Sequence, residues 1–263
     1  MNWNKQFKSL GICKAKSGFW RRNGFLLLLA LLFLSGFISN TKKQLEFASV
    51  DIGNPIAGKT TIVKPGKDYD IVGYGTMFGL HVASDMGRFV YVRMKGDFDI
   101  SVQIESIHPD NPSNSKGGLM VRKDLSPGSI FFSQEVTTNE YTGECDRYTC
   151  IYRLKEGGKW DGRMLNEKFG YATSSCGTIP NCSSIKRPFP KVWLRIRKTG
   201  NDYTAYYKDG DQPWKETSGC GVGKANLDLG EEPFVGMYIG ANEHGLGPEN
   251  GVLVKFRDLQ GFR

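Results

Sequence analysis

Trp160, Trp193, Trp214, Tyr148 and Tyr206 are the side chains of this sequence best suited to hold a polyhydroxylated ring. An aromatic face packs against the apolar face of a sugar, while carboxylate, amide or guanidinium groups take its hydroxyls. Arg195, Arg122, Asp85 and Gln134 are the polar partners of the right types. Each residue also has a plainer reading: Trp193 alternates with apolar neighbours and can simply cover a sheet, and Trp214 can plug a hairpin.

Hydrolytic chemistry finds less support. Glycoside cleavage needs two carboxyl groups roughly 5 to 9 Å apart across the bond. Asp97 and Asp99 share a strand face, but Asp97 stands beside a turn-forming Gly96, and Glu135, Glu140 and Glu144 straddle turn-like sequence. Gly-x-Ser-x-Gly and His-Glu-x-x-His patterns are absent, so no catalytic residue is assigned. His81, His108 and His244 are scattered, and no paired Cys-x-x-Cys spacing occurs, so no metal site or cofactor is expected. A structural calcium stays open, although no loop matches an EF-hand pattern.

Five cysteines follow residue 140: Cys145, Cys150, Cys176, Cys182 and Cys220. The spacings suggest two local staples, Cys145 to Cys150 and Cys176 to Cys182, with Cys220 unpaired or bonded into the 176–182 loop; the connectivity is not fixed by sequence. Asn181-Cys182-Ser183 is an acceptor pattern for N-linked sugar, with occupancy made doubtful by the central cysteine.

The elements that must position these residues are strands. Helical periodicity is nearly absent, and short β-rich runs alternate with Gly, Asp, Asn and Pro turns. The expected strands are 69–72, 77–80, 89–94, 98–107, 116–121, 130–136, 150–154, 191–198, 202–208, 233–241 and 251–259. In the fourth, Phe98, Ile100, Val102, Ile104 and Ser106 share one face, and Asp99, Ser101, Gln103 and Glu105 the other. Val192, Leu194 and Ile196 alternate with Trp193, Arg195 and Arg197 before a turn into Tyr203–Tyr207, which predicts a hairpin. Tyr203, Ala205 and Tyr207 then share one face and Thr204 and Tyr206 the other, so that one tyrosine set belongs to the core and the other offers a ligand platform. Many such strands make a sandwich or a barrel.

Ahead of this body lies an oily run, Phe25–Ile38, preceded by Lys5, Lys8, Lys14, Lys16, Arg21 and Arg22 and by no acidic residue. As a helix its fourteen residues span about 21 Å against roughly 30 Å of hydrocarbon, a length that fits a cleaved signal or a short uncleaved anchor. Either places the remainder beyond the membrane. The expected organisation is a basic segment 1–23, a signal or anchor 24–40, a linker 41–46, and one domain 47–263 with a cysteine-bearing insert near 141–188. The formal charge of +8 belongs mostly to the targeting segment: of 35 Lys and Arg, the six named above precede the run, leaving 29 against 27 Asp and Glu. That balance argues against nucleic acid as a partner.

The motif order carries a resemblance. Ala48-Ser49-Val50-Asp51-Ile52-Gly53-Asn54-Pro55 with Gly58, Tyr69-Asp70-Ile71-Val72-Gly73-Tyr74-Gly75 with Met77-Phe78-Gly79 and Asp85, and Gly96-Asp97-Phe98-Asp99-Ile100 come first. Lys116-Gly117-Gly118-Leu119-Met120-Val121-Arg122 with Leu125-Ser126-Pro127-Gly128-Ser129 follows. Next stand Trp193-Leu194-Arg195-Ile196-Arg197-Lys198-Thr199-Gly200-Asn201 with Tyr203-Thr204-Ala205-Tyr206-Tyr207, Asp209-Gly210 and Trp214, then Val235-Gly236-Met237-Tyr238-Ile239 and Phe256-Arg257-Asp258-Leu259. Together they resemble the bacterial DUF1349 family, described as similar to a yeast "regulation of enolase" protein. Phe78 stands where the family usually has Trp, and the insert at 141–188 departs from its pattern. The resemblance covers about 47–260. It implies an all-β, concanavalin A-like jelly-roll sandwich of two antiparallel sheets, preceded here by the hydrophobic N-terminal helix. It also implies a carbohydrate-binding role, since such domains are often joined to exported carbohydrate-active enzymes. The Glu-x-Asp-x-x-Glu strand of laminarinase-type hydrolases with that fold is absent. The expected function is thus an exported or membrane-tethered, non-catalytic carbohydrate-binding domain; the alternative is a cell-surface scaffold or adhesion ectodomain with a protein partner, and a glycoside hydrolase comes third.

Overall fold

The structure is a computed structural model and describes residues 45–53, 56–75, 83–108, 115–138, 147–158, 171–173, 189–217, 223–241 and 251–263. The expectations for 1–23 and 24–40, the strand at 77–80, Trp160, Asn181, Cys145, Cys176, Cys182 and Cys220 lie outside them. Among the described residues the strands are β1 (Ala48–Ile52), β2 (Lys59–Lys64), β3 (Asp68–Gly73), β4 (Gly87–Arg93), β5 (Phe98–His108), β6 (Lys116–Arg122), β7 (Phe131–Thr137) and β8 (Arg147–Arg153). They continue with β9 (Tyr171–Thr173), β10 (Val192–Thr199), β11 (Asp202–Asp209), β12 (Lys215–Glu216), β13 (Lys224–Asn226), β14 (Phe234–Gly240) and β15 (Val252–Gln260). No helix among the described residues is long and apolar enough to cross a membrane.

All pairings are antiparallel and build two sheets. One runs β1-β4-β14-β6-β7-β8-β9; the other runs β12-β11-β10-β5-β15-β3-β2, with β13 also on β11. Alternation explains the sandwich between them. Ile100, Val102 and Ile104 of β5, Val192, Leu194 and Ile196 of β10, and Leu119 and Val121 of β6 turn inward and are fully buried. Phe132 ties the layers, stacking on Tyr152 of its own sheet at 6.0 Å and tilting onto Tyr203 of the other at 5.6 Å. Each such aromatic contributes about 1.5–3 kcal/mol on burial.

The strand 98–108 corrects one expected facing. Phe256 of β15 pairs with Ile104, yet the preceding Lys255 pairs with Ser106, so Glu105 is an extra residue. This β-bulge shifts the phase: Ser106 is only half-buried, and Ile107 takes the inward position. An extra residue of this kind carries no signature in a single strand, because it exists only relative to the partner.

The seven-stranded sheet also buries part of its outer face. Ile52, Phe89, Met120, Phe131, Ile151 and Tyr238 form a second buried cluster there, and every residue of β6 and β7 is buried. Two glycines let its central strands approach. A Cβ at Gly236 would lie 2.0 Å from the Val90 carbonyl oxygen, and one at Gly118 would lie 2.3 Å from that of Gln134.

Candidate functional site

The hairpin of β10 and β11 turns through Gly200, whose φ of 58° suits a residue without a side chain. Its register sets Trp193 opposite Lys208 and Arg195 opposite Tyr206. Since Leu194, Ile196, Tyr203 and Ala205 fill the core, Trp193, Arg195, Arg197, Thr204, Tyr206 and Lys208 face outward. The strand β12 then pairs Glu216 with Tyr206, which brings the preceding Trp214 beside Lys208.

The result is a ladder of alternating rings and cations. Lys208 Nζ lies 5.0 Å from the centre of the Trp193 ring and 5.1 Å from that of Trp214. The Arg195 guanidinium lies 5.4 Å from Trp214 and 5.1 Å from Tyr206. Asp99 on β5 fixes Arg195 from the other side: Nε donates to Oδ1 at 2.6 Å, and Nη2 donates to Oδ2. Those bonds hold the guanidinium pKa above its ordinary value, with burial opposing and the Asp99 charge assisting. Trp193, Tyr206, Trp214 and Lys208 are each half-buried. Asp99 also borders an open depression of about 640 Å³, lined further by Asp97, Arg197, Thr199, Phe262 and Arg263.

The structure therefore joins four of the residues expected at a sugar site, Trp193, Arg195, Tyr206 and Trp214. It adds Lys208, whose signal in the sequence was its alternation with Tyr206. Four others go elsewhere. Asp85 and Arg122 are fully buried and serve the fold: Arg122 Nη1 donates to Asp85 Oδ2 at 2.8 Å, while Arg153 donates to Oδ2 at 3.0 Å and Oδ1 at 2.6 Å. The same guanidiniums bond the carbonyls of Asp124, Ser126, Pro127 and Ser129, pinning the β6–β7 turn to the segment around Asp85. Burial pushes the Arg122 guanidinium down, and Asp85 counters it. All three side chains of this cluster are fully buried.

Gln134 and Tyr148 point into the sandwich. Gln134 is fully buried between Leu119 and Cys150, its direct strand partners, and neither amide atom has a hydrogen-bond partner. Phe131-Phe132-Ser133-Gln134 offers an aromatic in both phases, so its facing was not readable from sequence. Tyr148 stacks on Tyr207 at 4.3 Å, donates to the Asp209 carboxylate, and has the Lys208 carbonyl at 3.3 Å. It ties the two sheets together. Cys150 lies in the same core.

Glu140 and Glu144 lie outside the described residues, and the other carboxylates weighed for catalysis, Asp97, Asp99 and Glu135, serve the chain itself. Asp97 accepts the Gly200 N–H at 2.8 Å in the hairpin turn. Glu135 accepts from Tyr238 and, at 3.2 Å, from Thr137. Among the described residues no group of three or more His, Cys, Asp or Glu side chains gathers where it could hold a metal ion.

No family model matches the chain, and no curated protein does, so the likeness to the DUF1349 family rests on its motifs. Solved structures do match. A functionally unknown protein from Saccharomyces cerevisiae is 14% identical over 82% of this chain and 96% of that one, with a TM-score of 0.52. A legume lectin-like domain from Entamoeba histolytica is 10% identical over 83% and 90%, with a TM-score of 0.42. A xylan β-1,4-xylosidase from Bacillus halodurans is 16% identical over 82% of this chain but only 39% of its own, with a TM-score of 0.45. At such identities the yeast structure shows a shared fold alone, an all-β sandwich of two antiparallel sheets.

Proposed function

We propose that this protein is an exported or membrane-tethered, non-catalytic carbohydrate-binding domain whose site is the outer face of β10, β11 and β12. The observation that carries the reading is the ladder of Trp193, Lys208, Trp214, Arg195 and Tyr206, half-open to solvent on one sheet face. It supplies ring surfaces and hydrogen-bond donors on a rigid strand scaffold, which is what a sugar chain needs. The legume lectin-like domain matched above is in keeping with it. The basic segment and oily run at the N-terminus support export.

The test is a glycan array probed with the full chain in mild detergent, beside a Trp193→Ala/Trp214→Ala variant. The expected result is binding to at least one polysaccharide, weakened tenfold or more in a variant whose melting temperature is kept. Silence across a diverse array overturns the reading.

A scaffold or adhesion ectodomain is the second reading, and one observation favours it. Ile56, Ile62 and Val63 are 48%, 59% and 52% exposed, the latter two on β2 at the edge of the eight-stranded sheet. An exposed apolar edge is a common place for a protein partner.

A further inference from the structure

Resting on the carbohydrate reading, we propose that the ligand is an acidic polysaccharide, whose sugar carboxylates pair with Lys208 and Arg197 while its rings lie on Trp193 and Trp214.

The argument begins with which cations on this face are already neutralised. Asp99 stands opposite Arg197 in the β10–β5 register, yet it gives both oxygens to Arg195. Lys224 pairs with Glu216 at 2.9 Å. Among the described residues Lys208 and Arg197 have no carboxylate within ion-pair distance. Lys208 is instead held between two indoles, 5.0 and 5.1 Å from their centres. Rings fix the position of an ammonium without satisfying its hydrogen-bond donors.

The spacing suits a chain ligand. Lys208 sits level with Trp193, and Arg197 lies four residues along β10, about 13–14 Å at strand rise. Between them, level with Arg195, stands Tyr206. A polysaccharide running along β10 thus meets a cation, then aromatic and guanidinium surface, then a second cation beside the open depression that Arg197 helps to line.

A neutral sugar on this face leaves Lys208 and Arg197 without a carboxylate, whereas a uronate on the same surface offers each of them one. Nucleic acid is disfavoured by charge: two uncompensated cations on a domain with 29 basic and 27 acidic residues after its oily run (35 less six, against 27) give little counterion release.

The experiment measures binding of the full chain in detergent to polygalacturonate, alginate and hyaluronan, to fully methyl-esterified polygalacturonate, to neutral xylan, and to single-stranded DNA. Expected is a preference of at least tenfold for one of the three acidic polymers over the esterified and neutral ones, and over DNA. That preference shrinks tenfold or more between 50 and 500 mM salt. Lys208→Met and, independently, Arg197→Gln reduce it, while Lys59→Met on β2 does not. Equal binding of esterified and acidic polymer, or an undiminished preference in both variants, overturns the acidic ligand and leaves the carbohydrate reading standing. DNA bound as tightly as any polysaccharide overturns it as well, since the face then reads charge alone. Absence of binding here and on the glycan array removes both proposals together.

Discussion

The phenol of Tyr238 on β14 donates to the carboxylate of Glu135 on β7, although a whole strand lies between them. The intervening residue is Gly118, directly paired with both. A side chain there would fill the space that the hydrogen bond crosses, so the central strand of this sheet leaves that position bare. The bond is buried, and its acceptor is a carboxylate, which places it among the stronger hydrogen bonds.

Tyr238→Phe is therefore expected to lower stability by about 1.5–3 kcal/mol, the worth of a hydrogen bond to a charged group. Gly118→Ala should cost about 1–3 kcal/mol by overpacking, since its Cβ would stand 2.3 Å from the Gln134 carbonyl oxygen and 2.7 Å from Glu135 Cα. Urea unfolding of the two variants measures both. A neutral Tyr238→Phe would show that Glu135 does not depend on the phenol.

Asp85 is shared by two guanidiniums, and all three side chains are fully buried. Removing the carboxylate leaves two cations in a dry site, for which about 3–5 kcal/mol is the usual cost. Asp85→Ala should accordingly lose that much in the same assay, and proteases should cut the 123–130 turn sooner. A loss under about 1 kcal/mol would mean that water reaches the cluster.

Tyr203 gives a pH dependence. Its hydroxyl is buried without a partner, and burial, then the charge of Asp228, raise its pKa above the ordinary 10.0. Below pH 10 the phenol is protonated in folded and unfolded chains alike, and nothing is lost. Above pH 10 the unfolded chain gives up the proton and the folded chain keeps it, so stability falls as pH rises. Tyr203→Phe should raise the melting temperature at pH 7, by removing an unsatisfied group worth about 1–3 kcal/mol, and should flatten the alkaline fall. A variant that melts lower at pH 7 and declines with the same alkaline slope contradicts this account.

The strands were legible wherever one face is apolar and the other wet. Val192–Thr199 and Asp202–Asp209 match the expected 191–198 and 202–208 to within one residue, and Val192, Leu194 and Ile196 are buried as expected, because local alternation records burial on one side. The edge strands β1 and β2 did not, since neither side of an edge is reliably covered: β2 buries none of its residues fully. β6 and β7 gave no facing either, because a sheet buried on both sides loses its alternation. That is why Gln134 and Arg122 were placed among candidate ligand contacts.

By itself the sequence determined an oily, basic-flanked N-terminus, an all-β body, and a hairpin that turns Trp193 and Arg195 to one side. Only the tertiary structure decided what they meet there. Asp99 reaches Arg195 from 96 residues away, and Asp85 reaches Arg122 and Arg153 across 37 and 68 residues. Pairing register between distant strands is set by how whole faces pack, and no local run of residues encodes it.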